Sequence, residues 1–271
     1  MNITYYSTKK TVPEVDFFTA VLTGQAPDRG LYMPKPIPHI SRESLQAMKR
    51  MEYYQVAHAI LRLYVDRIPE EKLLLLCREA YDFWPTIEPV RDTRHLMRLD
   101  TGPTASFKDF AAQMMARFMG CRLTSGEKLL ILTATSGDTG SAIAHAFYGV
   151  PNIDVIILFP IKEVTDNQRK QMTTLGGNIQ AIAIDGKFDN AQYMVKEAFA
   201  DKRLNAIKLT SANSINIARL LPQAVYYFWA YSRLVDDIDD EIIFSVPSGN
   251  FGDLMGALFA WKMGLPVRRL V

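Results

Sequence analysis

Lys108 stands just after a Gly-Pro turn, inside the run Leu99 to Gln113, at the start of a segment with helical apolar spacing. A lysine becomes a nucleophile when its amine loses the proton, and this place favours that loss. The first turn of a helix carries the positive end of the helix dipole, which disfavours a second positive charge. The rings of Phe107 and Phe110 can desolvate the ammonium and push the same way. A neutral amine attacks carbonyls and forms Schiff bases. Ser106 reads as the N-cap, and Asp109, three residues on, completes a capping-box pattern. On local features alone, the commoner explanation of such a lysine is an exposed surface side chain.

Two further segments bear on that choice. Leu129 to Leu132 reads as a buried strand; the polar turn Thr135 to Gly140 follows, and a helix begins near Ser141. The segment Glu241 to Gly256 has the same grammar: a strand over 242–246, the loop Pro247 to Gly252, then a helix. A strand, a loop of small residues and a helix N-terminus leave backbone N–H groups unpaired, which suits an anion. Either loop alone also fits an ordinary strand-to-helix turn. A reactive lysine together with two anion-cradling loops is a more specific combination.

These motifs resemble the threonine synthases, which are pyridoxal-phosphate (PLP) enzymes of fold type II. The resemblance runs along the whole chain: Tyr5 to Thr8, Gly30 to Pro34, Gly102 to Asp109, Thr133 to Gly140, Leu175 to Asn178, Ala183 to Asp189, Ser211 to Arg219 and Pro247 to Asp253. The run Ser-Ala-Asn-Ser-Ile-Asn from Ser211 separates this family from other PLP enzymes. The resemblance implies a PLP-dependent carbon–oxygen lyase acting on a phosphate ester. It would convert O-phospho-L-homoserine and water to L-threonine and phosphate. Lys108 would be the cofactor lysine and the general base. Ser248, Gly249, Asn250, Phe251, Gly252 and Asp253 would hold the cofactor phosphate. Thr135, Ser136, Gly137, Asp138 and Thr139 correspond to the loop for the substrate carboxylate. Lys162, Asn216 and Arg219 are the candidates for the substrate phosphate.

Asp138 is awkward beside a bound carboxylate, since like charges repel. Its side chain either points away or caps the following helix, and capping is the favoured reading. Lys162 fits a solvated loop lysine as well as an anion ligand, while Arg169 and Lys170 read as a surface helix face. Another fold type II PLP lyase or dehydratase is the nearest alternative, and an inactive fragment of a threonine synthase is a second. The chain stops at Val271, where Pro266 to Val271 begins what looks like another strand. Members of the family continue further and supply the partner of the pyridine nitrogen there. The expectation is therefore a C-terminally truncated chain with an incomplete large domain, weak PLP binding and little turnover.

The 271 residues suffice for a large core and more than one domain. A net charge of +2 argues against a nucleic-acid or anionic-membrane surface as the main partner. No long uncharged apolar run predicts a membrane span, and the N-terminus lacks signal-peptide character. Cys77 and Cys121 read as reduced thiols of a cytoplasmic protein. The four histidines His39, His58, His95 and His145 are scattered and make no metal spacing; His145 reads as structural. No Gly-x-Gly-x-x-Gly follows a strand, and no P-loop occurs.

The lysine and loops must be positioned by the elements between them. From Lys108 on, the pattern predicts strands over 129–133, 154–159, 179–184, 207–210 and 242–246, alternating with helices over 107–119, 139–149, 165–175, 188–200, 215–234 and 252–263. Pro222 should kink the fifth of these helices. The alternation predicts an α/β protein with largely parallel sheets and helices on both faces. The first 95 residues lack it and read as mainly helical, with irregular chain over 27–38, a helix from Ser41 to Tyr64 and another from Glu70 to Phe83 after Pro69. The expected domains are 1–95, mainly helical; 96–235, carrying the lysine and the small α/β domain; and 236–271, the start of the large domain, with the polar stretch Asp236 to Glu241 as boundary.

Overall fold

A computed structural model describes residues 3–124, 126–204 and 206–271. The N-terminal region opens with β1 (Thr4–Ser7), α1 (Phe17–Thr23) and β2 (Tyr32–Lys35). It continues through α2 (Arg42–Met48), α3 (Tyr53–Leu61) and α4 (Glu70–Ala80) and ends in the hairpin β3 (Thr86–Arg91) and β4 (Arg94–Arg98). Strands β1 and β2 pair antiparallel, so the stretch expected to be irregular contains a strand. Four residues per strand are too few for alternation to stand out from a proline-rich background. Helix α1 begins behind Asp16, whose carboxylate accepts the Thr19 N–H at 2.7 Å.

The helix expected over 41–64 is two helices. The Glu52 N–H donates to Gln55 Oε1 at 2.8 Å and starts α3 afresh. The carbonyls of Lys49 and Met51, released by the break, are taken by the Arg233 guanidinium. A distant side chain thus satisfies what the interruption exposes.

The α/β part follows the expected alternation: α5 (Lys108–Arg122), β5 (Leu129–Ala134), α6 (Asp138–Phe147), β6 (Ile153–Pro160), α7 (Asp166–Thr173), β7 (Ile179–Ile184), α8 (Phe188–Ala200) and β8 (Leu209–Thr210). The four strands form one parallel sheet in the order β7-β6-β5-β8. Alternate side chains enter opposite faces, as the strand period of two requires. Ile131, Val155 and Ile157 join the main core beneath α5 and α6. Leu132, Ala134 and Leu158 meet Ala191 and Val195 of α8 on the other face. Helices therefore cover both faces.

Next come α9 (Ile217–Leu220), a 3-10 turn (Leu221–Gln223) and α10 (Ala224–Leu234), the three pieces of the one helix expected over 215–234. Pro222, which can neither donate to the helix ladder nor clear the preceding turn, divides them. A second, two-stranded parallel sheet pairs β9 (Ile242–Phe244) with β10 (Val267–Leu270), with α11 (Gly252–Lys262) between them in sequence. Residues of α3, α5, α10 and α11 share one core, in which Phe110 touches the rings of Tyr53, Phe83 and Tyr226. The polar stretch 236–241 is tied down by both ends of α2: Arg42 pairs with Asp239, and Lys49, just after the helix, donates from Nζ to the Asp236 carbonyl at 2.6 Å. Among the described residues no helix is long and apolar enough to cross a membrane.

Candidate active site

The strand order reverses at β5. Strands β6 and β7 lie on one side of it and β8 on the other. Loops leaving the C-terminal ends of β5 and β8 therefore diverge, and such a switch point is where open α/β sheets bind ligands. Here the C-terminal end of β5 faces the segment after β8: Thr133 Oγ1 hydrogen-bonds Asn213 Oδ1, and Asn213 Nδ2 donates to the Ala134 carbonyl at 3.4 Å. The N-terminus of α5 delivers Lys108 to the same place.

Lys108 is the first residue of α5, and its side chain is only 14% exposed. Its Nζ lies 3.3 Å from Asp138 Oδ2 and 4.3 Å from the centre of the Phe107 ring. Burial pushes the ammonium pKa down. Asp138 pulls it up, while the Arg219 cation adds to the fall and Asp109 opposes it; burial prevails. Phe110 plays no part, because its ring turns into the aromatic core on the far side of the helix.

The capping box expected at this helix start takes another form. Ser106 Oγ accepts the Lys108 N–H at 3.3 Å. The Asp109 carboxylate folds back to accept Thr104 N–H at 2.8 Å and Thr104 Oγ1 at 2.7 Å. Gly102 permits this, since a Cβ there would sit 2.6 Å from Asp109 Cβ. Burial raises the Asp109 pKa although these hydrogen bonds lower it.

The loop after β5 is organised by one hydroxyl. Thr135 Oγ1 accepts the N–H groups of Gly137 at 3.0 Å and Gly140 at 2.9 Å and donates to the Gly137 carbonyl at 3.0 Å. Ser136 is exposed beside it and Thr139 half-buried. Gly137, at φ +152°, occupies the helix boundary. Asp138 is consequently the first helical residue and makes no cap hydrogen bond, contrary to the expectation of an N-cap. From the first turn its carboxylate reaches instead to Lys108 and to Gln168, whose Nε2 donates to Oδ1 at 2.5 Å.

The segment after β8 treats its two expected ligands differently. Asn216 is fully buried and spent on the fold: its Oδ1 accepts Ala218 N–H, and its Nδ2 donates to the carbonyls of Val21 and Ser211. No donor of that side chain remains for a ligand. Arg219 is also fully buried, yet only Nη1 is engaged, donating to the Ala212 carbonyl at 2.6 Å. Its Nε and Nη2 have no partner among the described residues. Burial lowers its pKa to about 10, with Asp109 opposing. Buried donors left without acceptors cost on the order of 1–3 kcal/mol each, and Arg219 carries them on two of its three nitrogens.

The loop after β9 is more open. Phe251 adopts a left-handed conformation at φ +59° and is 60% exposed, and Asn250 and Gly249 beside it are exposed too. Ser248 is half-buried. A Cβ built on Gly252 would lie 3.7 Å from Ser214 Oγ and 3.8 Å from Gln223 Nε2. The N-terminus of α11 thus stands beside the Ser211 to Arg219 segment. The Asp253 carboxylate is held by both Tyr226 and Tyr227 hydroxyls at 2.6 Å. Lys162 follows β6, is well exposed and pairs with Asp185 at 3.3 Å. Gln168, Asn213 and the two tyrosines were not anticipated. Thr165-x-x-Gln168 has the spacing of a capping box, and the Gln168 side chain does cap there, but nothing local discloses its reach to Asp138.

Comparison with known proteins adds a second line. The family model described as threonine synthase N terminus matches residues 4–81, and that of pyridoxal-phosphate dependent enzymes matches residues 92–271. Threonine synthase of Escherichia coli K12 is 42% identical over 268 residues, which is 98% of this chain and 62% of that protein. The Saccharomyces cerevisiae enzyme is 36% identical, with 98% and 57% covered. The structure of PLP-bound threonine synthase from Brucella melitensis superposes with a TM-score of 0.93 at 39% identity, covering 99% of this chain and 60% of that one. The chain spans about three-fifths of the length of the curated relatives it matches. With both segments of its length accounted for in this way, the chain belongs to the pyridoxal-phosphate dependent enzymes of fold type II and is similar throughout to the threonine synthases.

Proposed function

We propose that this chain carries the reactive lysine and the substrate face of a threonine synthase, the enzyme that converts O-phospho-L-homoserine and water to L-threonine and phosphate with pyridoxal phosphate. The observation that carries the reading is the convergence on one switch point of a desolvated amine, a helix N-terminus and a buried guanidinium with two unpaired donors. The donor set fits the cofactor. Lys108 offers an amine to its carbonyl, and the N-terminus of α11 offers backbone N–H groups to its phosphate, with open space at Gly249.

Bound pyridoxal phosphate supplies a carbonyl for the lysine and an electron sink for charge at the substrate α-carbon. The protein supplies the rest. Lys108 Nζ takes the proton first from the α-carbon and then from the β-carbon. The γ-phosphate leaves, one of these protons is delivered to the γ-carbon and the other is returned to the α-carbon, and water adds its hydroxyl at the β-carbon while its proton goes to the released phosphate. Ser136, Thr139 and the free N–H groups at the start of α6 hold the substrate carboxylate. Arg219 holds the leaving phosphate, for which a planar guanidinium is suited. Asp253 serves by docking α11 to α10 through the two tyrosines rather than by touching phosphate. Lys162 is a weaker candidate than Arg219, because a solvated lysine paired with Asp185 has little need of a second anion. The domain reading that accompanies this places the small, lysine-bearing domain at 96–235, between the N-terminal region and the start of the cofactor domain at 236. A cytoplasmic setting goes with it.

The experiment is to add pyridoxal phosphate to the purified chain, reduce with borohydride and map the modified lysine by mass spectrometry. Modification concentrated at Lys108 and absent in Lys108→Ala supports the reading. Modification scattered over surface lysines overturns it for this chain.

A further inference from the structure

We propose that Asp138 is a positioning residue that clamps Lys108: its carboxylate, fixed from behind by Gln168, holds the Lys108 side chain as an ammonium against the start of α6 and thereby sets the pH at which that amine becomes reactive. Three helices meet in this arrangement. Lys108 comes from α5, Asp138 from α6 and Gln168 from α7, with Nζ to Oδ2 at 3.3 Å and Nε2 to Oδ1 at 2.5 Å. The carboxylate is thus held at both oxygens.

Gln168 is itself fixed. Its Oε1 accepts the N–H and the hydroxyl of Thr165, each at 3.1 Å, which leaves Nε2 to donate to Asp138. The reach passes over Gly137, where a Cβ would lie 2.6 Å from Gln168 Nε2. Any side chain at 137 would displace the amide. A glycine at this position therefore serves the clamp as well as the turn.

An exposed ion pair would be worth little. This pair differs because one end is desolvated: Lys108 is 14% exposed and Asp138 48%. Burial alone drives the amine toward its neutral form, and Asp138 opposes that drive. The other charges facing Lys108 are Asp109 on its own helix and Arg219 on α9, which act in opposite directions. His145 of α6 lies beside Gln113 at 3.3 Å and acts on Asp109 rather than on Lys108. Asp138 is the carboxylate in direct contact, so it has the largest leverage on the proton. It stands in the first turn of α6, where the helix dipole favours a negative charge.

The use of such a clamp rests on the reading of Lys108 as the cofactor lysine, but the two fail separately when the probe is a simple aldehyde. The measurement is the rate of reductive methylation of Lys108 by formaldehyde and cyanoborohydride, followed by peptide mass mapping across pH on the full chain. Only the unprotonated amine reacts, so the profile reports the midpoint directly. Asp138→Asn is expected to lower that midpoint by about one unit, making Lys108 roughly tenfold faster below both midpoints, with the high-pH plateau unchanged. Asp138→Glu retains the charge and is expected to restore most of the parental midpoint. Gln168→Ala is expected to fall between Asn and the parent. A change in plateau alone, with the midpoint fixed, would mean that Asp138 only supports the local fold, and the proposal would be wrong. So would an unshifted profile in both Asp138→Asn and Gln168→Ala. Failure of pyridoxal phosphate to label Lys108, with the formaldehyde profile shifting as described, would remove the functional reading and leave the clamp standing.

Discussion

The loops after β5 and after β9 share a sequence grammar and differ in physical construction. After β5, the glycines are forced by crowding. Gly140 has Met172 Sδ at 2.4 Å and Thr135 Cγ2 at 2.5 Å from where its Cβ would stand, and Gly137 sits at positive φ against Gln168. The Thr135 hydroxyl closes the loop on itself. After β9, Gly249 has nothing within 4 Å and Gly252 only ordinary contacts. That loop runs into the first turn of α11, where the Asp253 carboxylate is held between two tyrosines. The first loop is finished by its own packing. The second leaves Gly249, Asn250 and Phe251 exposed, as the proposed cradle for a cofactor phosphate would need.

The sharpest separation of the two regions comes from Arg219→Met. It removes two orphaned N–H donors from the buried side of the first site. Replacing a buried, half-satisfied cation by an apolar chain is expected to leave stability unchanged or raised. If Arg219 is an anion ligand, inorganic phosphate should raise the melting temperature of the parent, and most of that rise should vanish in the variant. A parent indifferent to phosphate would break the assignment. Next in size is a pair of glycine substitutions read by urea unfolding. Gly140→Ala should cost about 1–3 kcal/mol from overpacking against Thr135, which its hydrogen bonds hold in place. Gly249→Ala should lie within about 0.5 kcal/mol of the parent. Equal costs would dissolve the contrast.

Tyr226→Phe and Tyr227→Phe test the anchor of the second loop. Each removes a hydrogen bond to a carboxylate and should cost about 1.5 kcal/mol. Protease cleavage within 247–252 should quicken, while cleavage near Thr135 stays as it was. The smallest effect is a pH slope. Burial raises the Asp109 pKa above its unfolded value, so the folded chain holds that proton more tightly. Stability contributed by the protonated form is present below the unfolded pKa and is lost as pH rises through the folded one. Asp109→Asn should flatten that part of the stability profile, measured by urea midpoints from about pH 3 upward. No flattening would mean that the Thr104 hydrogen bonds offset the burial fully.

How much of this was legible in the sequence follows from the range of the forces involved. The helix over 188–200 and the strand over 179–184 match their expected limits, because apolar periodicity and local capping are properties of neighbouring residues. Lys108 at a helix start was legible for the same reason. The direction of Phe110 was not: which face of α5 meets aromatic residues depends on Tyr53 and Tyr226, far away in the chain. Nor was the division of labour between Asn216 and Arg219. Both are polar, both lie in the run Ser211 to Arg219, and both are buried. One has every donor satisfied by carbonyls of the fold and the other does not, and only the assembled backbone decides that. Asp138 was misassigned as a cap because its true partners, Lys108 and Gln168, are each thirty positions distant.

The Asn216 amide bears on the order in which the molecule assembles. Its bond to the Val21 carbonyl joins positions 195 apart in the chain. Contacts of such separation are slow to form, because a long loop must close before they return any stabilisation. During synthesis the N-terminal region has emerged long before residue 216 does, so α1 can already be in place as a template when the segment that carries Arg219 arrives. Refolding from denaturant has no such schedule. The segment around Asn216 and Arg219 is therefore expected to mature last in the test tube, behind the helices that surround it.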